Sequence, residues 1–160
     1  MKFLEVGDKA PDFQTLDQGG RKVSLKGFRG KRVVLYFYPK DDTPGCTKEA
    51  CSFRDDFAAF RRRRIDVLGV SIDGTESHQR FAAKFGLPFR LLADPEKKIV
   101  KDYRVWGEKS LYGRKYMGTH RVTYLIDEKG KIAAVWPKVK PDRHAREILD
   151  ALAQTETKGL

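Results

Sequence analysis

Apolar positions along this chain follow two rhythms, one of strands and one of helices. Residues 13–16 and 22–25 flank Gln18-Gly19-Gly20 and predict a β-hairpin with a glycine turn. Residues 32–38 are a nearly continuous apolar and aromatic run, as in a strand buried on both faces, and Pro39 ends it. Thr43 then suits a helix N-cap and Pro44 the first helical position. Cys46, Ala50, Phe53, Phe57 and Phe60 recur at steps of four, three, four and three, one apolar face of an amphipathic helix. For the three phenylalanines that face means core packing. Cys46 falls in the first turn, where backbone N–H groups lack helical partners.

Residues 65–72 read as a second buried strand. Asp73 and Glu76 have capping-box-like spacing before a helix over 75–85, which Gly86 and Pro88 close. A short strand over 89–92 precedes Asp94-Pro95, which opens a helix running to about Tyr103. Residues 106–119 hold aromatics and a methionine without a period and read as an ordered loop. Strands over 121–126 and 131–136 flank residues 127–130 as a second hairpin. Asp142 caps a last helix with Ala145, Ile148, Leu149 and Leu152 inward. The alternation of strand and helix argues for an α/β sheet with helices on its faces. Cys46 then lies just past the C-terminal end of a central strand, where open α/β sheets place their sites.

Composition narrows the setting. The 160 residues suit one domain, 1–160, and 40% hydrophobic with 34% charged residues is a globular balance rich in charge. No run approaches the ~20 apolar residues that span a membrane. Residues 1–8 carry early acids and no long apolar stretch, so no signal peptide and a cytoplasmic protein without a membrane partner are expected. In that compartment two cysteines are catalytic, redox-active or metal-binding rather than a permanent staple. The net charge of +11 is dispersed, with its densest cluster at Arg61 to Arg64. That cluster reads as a solvated helix end, where cations suit the macrodipole, and no specific nucleic acid is expected.

Cys46 and Cys51 are the only cysteines in the chain. A free thiol has a pKa of about 8.5, and a helix N-terminus and a nearby cation both favour its anion. Full ionisation at neutral pH multiplies the nucleophile by roughly 30-fold at most, so donors that hold a substrate must supply the rest of any fast reaction. Five helical steps turn Cys51 by about 140° from Cys46 and raise it ~7.5 Å. A disulfide needs Cα atoms within ~4.4–6.8 Å, so if the two bond, the first turns must unwind. An inert buried thiol is the other reading of Cys51. A zinc site would need further ligands, and His78, His120 and His144 are scattered, so no metal is expected.

Pro39, Thr43 and Cys46 match the Pro-x-x-x-Thr-x-x-Cys motif of the peroxiredoxins, and the chain most closely resembles their bacterioferritin comigratory protein (peroxiredoxin Q) group. A second cysteine five residues on, Cys51, marks that group. The opening from Val6 to Phe13, the segment from Val105 to Lys109 and the segment from Gly118 to Asp127 are similar to its other segments. Arg104 departs from the small residue expected there. The resemblance implies a thioredoxin-like fold, a central mixed β-sheet flanked by helices with an N-terminal β-hairpin extension, and thiol-dependent reduction of hydrogen peroxide and organic hydroperoxides. By the same resemblance Cys46 is the peroxidatic nucleophile. Thr43 hydrogen-bonds peroxide or thiolate, Arg121 stabilises the developing charge, Pro39 shields the site and Glu49 orients the arginine. Cys51 resolves the sulfenic acid to an intramolecular disulfide, which thioredoxin or a similar dithiol reduces. No cofactor is required.

Without the resemblance, Arg121 reads as a surface residue at a strand start, Thr43 as an N-cap, Pro39 as a strand stop and Glu49 as an acid placed by the helix dipole. Two other functions compete. A protein thiol–disulfide oxidoreductase usually has two residues between its cysteines, not four. A nucleic-acid or anionic-surface module would draw on the +11 charge. A resolving cysteine in the same chain removes the need for a partner subunit, so a monomer, with at most a weak dimer, is expected.

Overall fold

The computed structural model describes residues 1–158, with the side chains of 156–158 left aside. Its centre is a five-stranded sheet in the order β5-β4-β3-β8-β9. Strand β3 (Arg32–Phe37) runs parallel to β4 (Ile65–Ser71), which runs parallel to β5 (Arg90–Ala93). On its other side β3 pairs antiparallel with β8 (Val122–Ile126), and β8 with β9 (Ile132–Trp136). The sheet is therefore mixed, and the fold is thioredoxin-like.

The run at 32–38 is apolar throughout because both its faces are covered. Val33, Leu35 and Phe37 join one core with Phe13, Leu25, Phe28, Ile99 and Tyr103. Val34, Tyr36 and Tyr38 alternate to the other, with Cys46, Phe53, Phe60, Phe81 and Ile148. The first core lies beneath the N-terminal hairpin of β1 (Gln14–Leu16) and β2 (Lys22–Ser24). Asp17 closes that hairpin, its Oδ1 accepting from the N–H groups of Gly19 at 2.8 Å and Arg21 at 3.0 Å.

Helices α1 (Pro44–Asp55), α2 (Phe57–Arg62), α3 (Thr75–Phe85) and α5 (His144–Lys158) contribute side chains to the second core. The apolar stripe from Cys46 to Phe60 spans two helices rather than one. Asp56, with φ −102° and ψ 12°, breaks the helical path, yet the stripe keeps its phase and Cys46, Ala50, Phe53 and Phe60 stay buried. Helix α4 (Lys98–Asp102) is shorter than the span from Asp94 suggested. Asp94 caps it from a distance, accepting from the N–H groups of Ile99 at 3.1 Å and Val100 at 2.9 Å. Glycine 74, not Asp73, occupies the N-cap of α3. Arg104, where the resemblance leads one to expect a small residue, adopts φ 60°, the left-handed region that favours glycine.

Residues 106–119 correct the sequence reading. They form a hairpin, β6 (Trp106–Leu111) against β7 (Arg114–Thr119), rather than a loop. Most of β7 is exposed on both faces, so no inward residue sets a two-residue period. Its turn, Tyr112 at φ 52° and Gly113 at φ 77°, is the surviving signal.

Candidate active site

Where β3 ends, Tyr38 donates its N–H to Val70 O at 3.1 Å and the chain leaves the sheet at half-buried Pro39. Residues 39–43 form a short loop into α1. The Thr43 backbone is extended at the N-cap position and Pro44 follows, as the sequence suggests. The Thr43 side chain makes no cap bond: its Oγ1 donates to Lys40 O at 2.8 Å. The first intrahelical bond runs from Thr47 N–H to Thr43 O at 2.8 Å, so the N–H groups of Gly45 and Cys46 precede the helical ladder.

Cys46 is 1% exposed and Glu49, one turn on, 0%. Arg121, immediately before β8, reaches both. Its Nη2 donates to Cys46 Sγ at 3.4 Å and its Nη1 to Glu49 Oε1 at 2.6 Å. A single planar guanidinium thus spans a carboxylate and a sulfur, as a forked cation can. Gly45 permits this approach. A Cβ there would stand 3.1 Å from Arg121 Nη2.

Burial pushes the Glu49 carboxyl up to about 7, with Arg121 pulling against that rise. Burial also works against the Arg121 charge, but Glu49 and Cys46 outweigh it and hold the guanidinium above its ordinary range. Glu49 Oε2 and the Tyr36 hydroxyl are buried without a hydrogen-bond partner. Tyr36 stacks on Phe53 at 4.6 Å, and burial, then Glu49, keep its phenol protonated. His144 is buried with Nε2 against Thr123 Oγ1 at 2.7 Å, and burial followed by Arg121 pushes it down to about 4.

Cys51 is free, half-buried and further along the same helix. No disulfide joins the two sulfurs, and α1 is intact between them. The structure therefore brings Cys46, Glu49 and Arg121 into contact, puts Thr43 and Pro39 in the loop leading to them, and sets Cys51 apart.

Two groups escaped sequence reasoning. Lys109 donates from Nζ to Thr119 O at 3.0 Å, and its charge is disfavoured by burial and Arg121 but favoured by Cys46. The second is the anchor of the 39–43 loop. Asp41 accepts from the Tyr38 hydroxyl at 2.6 Å and Ser77 Oγ at 2.8 Å and meets His78 Nδ1 at 2.6 Å, while its own N–H donates to Asp73 Oδ2 at 2.9 Å. Asp41, Asp73 and His78 offer ligand atoms within 4.8 Å of one another. His78 is engaged on both nitrogens, Nε2 facing Leu92 O at 2.9 Å, so the cluster is built as a hydrogen-bonded pin rather than an open metal cage. His120, which reads from sequence as a packed or solvated ring, meets Glu108 O through Nε2 at 3.1 Å.

A family model described as AhpC/TSA matches residues 6–135. The putative peroxiredoxin bcp of Coxiella burnetii is 50% identical over 149 residues, covering 93% of this chain and 99% of that protein.

The chain belongs to the AhpC/TSA family, among the Bcp (peroxiredoxin Q) peroxiredoxins.

A Cys→Ser mutant of Xylella fastidiosa PrxQ superposes with a TM-score of 0.91 at 32% identity, covering 98% of this chain and 99% of that one. The bacterioferritin comigratory protein of Xanthomonas campestris, described for its alkyl peroxide reduction activity, matches with a TM-score of 0.87 at 34% identity, covering 94% and 99%. The chain is thus a peroxiredoxin, an enzyme of the thiol peroxidase class. No helix among the described residues is long and apolar enough to cross a membrane.

Proposed function

We propose that this peroxiredoxin reduces hydrogen peroxide and alkyl hydroperoxides with Cys46 as the nucleophile. The observation that carries the proposal is the Arg121 guanidinium, shared between Cys46 Sγ at 3.4 Å and Glu49 Oε1 at 2.6 Å. A thiolate at that position has a fixed cation beside it and the unpaired N–H groups of the first helical turn around it. The sulfur attacks one peroxide oxygen, the O–O bond breaks, and the leaving alkoxide takes a proton to become an alcohol or water. Arg121 stabilises the charge that builds on the departing oxygen, and the Thr43 hydroxyl joins it by turning its one proton from Lys40 O to the peroxide. Pro39 limits water at the loop, and Glu49 holds the guanidinium in its plane.

The product is a Cys46 sulfenic acid. Its hydroxyl leaves as water when the Cys51 thiol attacks sulfur, and a Cys46–Cys51 disulfide forms. The start of α1 unwinds for this step, because an intact helix separates the residues by ~7.5 Å along its axis. An external dithiol such as thioredoxin returns both sulfurs to thiols and leaves oxidised. All of this occurs within one cytoplasmic monomer. The alkyl class draws support from the activity ascribed to the Xanthomonas campestris protein.

Stopped-flow titration of the reduced protein, followed by mass spectrometry, tests the scheme. One equivalent of peroxide should remove two hydrogens from the wild type and add one oxygen to Cys51→Ser. Cys46→Ser should consume none, and full activity in that variant would refute the assignment. Amide exchange over 44–51 should rise on oxidation, and unchanged protection would exclude unwinding.

A further inference from the structure

The pole of the sheet opposite Cys46 carries a basic cleft. Lys31 and Arg32 stand at the start of β3, Arg63 and Arg64 immediately before β4, and Arg61 in the last turn of α2. Together they line an open cleft of about 620 Å³, with Asp66 and Glu128 as its acids. Arg32 Nη2 donates to Arg63 O at 3.2 Å, tying the two strand starts together. A second open depression of about 390 Å³ shares Lys31 and adds Arg21, Lys22 and Arg90. Across both, eight lysines and arginines face three carboxylates. One of those acids, Asp17, is already satisfied by the N–H groups of Gly19 and Arg21 and lies 3.7 Å from Arg90. The run at 61–64 is the solvated end of α2, and folding sets beside it cations from 30 residues away in sequence.

We infer that this pole binds the phosphate backbone of duplex nucleic acid without reading its sequence. Guanidinium forks match phosphate oxygens in pairs, and a row of cations gains by releasing condensed counterions. No aromatic side chain lines the larger cleft, so unpaired bases find no stacking platform and a single strand gains little there. None of the exposed large apolar side chains lines either depression, so the pole lacks the apolar insertion that holds proteins on lipid surfaces. The six residues of β3 separate this pole from the thiol site by about 20 Å. Duplex binding therefore leaves Cys46 open to peroxide, and it stands or falls independently of the peroxidase chemistry.

Fluorescence anisotropy of the full-length protein with a short labelled DNA duplex tests the inference. The slope of log K against log[salt] should be steep, at about −0.9 per neutralised phosphate. Lys31→Gln/Arg61→Gln/Arg64→Asn should flatten it by two to three, roughly, and weaken binding at least tenfold, with peroxidase activity unchanged. Asparagine suits position 64, where φ is 57°. A control that removes the same charge elsewhere, Arg114→Gln at the β6–β7 turn with Lys138→Gln/Lys140→Gln past the end of β9, should keep most of the affinity. Cys46→Ser should bind like the wild type. Equal loss in both triple variants, preference for single strands, or binding to anionic phosphatidylglycerol vesicles but not to duplex would each overturn the inference.

Discussion

The first turn of α1 and the turn after it hold the two sulfurs under opposite conditions. In the first turn, Cys46 is 1% exposed, packed with the aromatic core and met by a guanidinium. In the next, Cys51 is half-buried and lies outside both apolar cores. The same residue type on one helix thus has two surroundings, separated by five positions. In the proposed scheme a nucleophile needs preorganised charge around it, and a resolving thiol needs freedom to travel. The difference teaches that the cation beside Cys46 comes from the start of β8, not from the helix itself.

Removing that reach should have the largest effect. Arg121→Met leaves Cys46 with only the helix N-terminus, and kcat/KM for peroxide should fall by about 10²–10³-fold, the cost of losing one preorganised charge donor. Arg121→Lys should recover only part of the rate, because a single ammonium cannot span Sγ and Glu49 as the fork does. Stopped-flow kinetics on the reduced enzyme would show both. If Arg121→Met retains wild-type kcat/KM, the contrast between the two turns has another cause.

A gentler perturbation moves the arginine without deleting it. In Gly45→Ala, the new methyl group would stand 3.1 Å from Nη2, inside ordinary contact distance. The guanidinium must shift by a few tenths of an ångström, and its hold on Sγ loosens while the hold on Glu49 from Nη1 persists. The rate with peroxide should fall about tenfold, as expected when a charge donor is displaced rather than lost. An unchanged rate would show that the 3.4 Å contact does not limit the reaction.

Much of this arrangement was legible in the residues. The strand at 32–38, the break at Pro39 and the proline at the first helical position put Cys46 at a helix start from local chemistry alone. Arg121 was different. It lies 75 positions from Cys46, and nothing in its own neighbourhood separates it from a surface cation at a strand start. Only the pairing of β8 beside β3, with Val122 opposite Phe37, carries it to the site. The hairpin at 106–119 was illegible for the opposite reason: exposed on most of its length, it has no buried face to write a period. The Asp41 pin also left no local sign, because Ser77 and His78 come from α3. The Thr43 side chain shows the limit of propensity. A residue type suited to capping occupies the cap position yet bonds back into the loop at Lys40 O.

The smallest expected effect concerns stability, and it tests whether Arg121 sits between two titrating groups of opposite sign. Glu49 is raised from its ordinary 4.5 to about 7, chiefly by burial. Its contribution to stability is complete below pH 4.5 and is lost as pH rises towards 7. His144 is lowered from 6.5 to about 4, again chiefly by burial. Its contribution is present above pH 6.5 and is lost as pH falls towards 4. Between pH 4.5 and 6.5 the two slopes, each at most about 1.4 kcal/mol per pH unit, oppose one another. Glu49→Gln removes one slope, so its urea midpoint should rise with pH across that window. His144→Gln removes the other, so its midpoint should fall with rising pH, whatever the absolute cost of the substitution. Parallel profiles in the two variants would mean that these groups do not titrate against each other across Arg121.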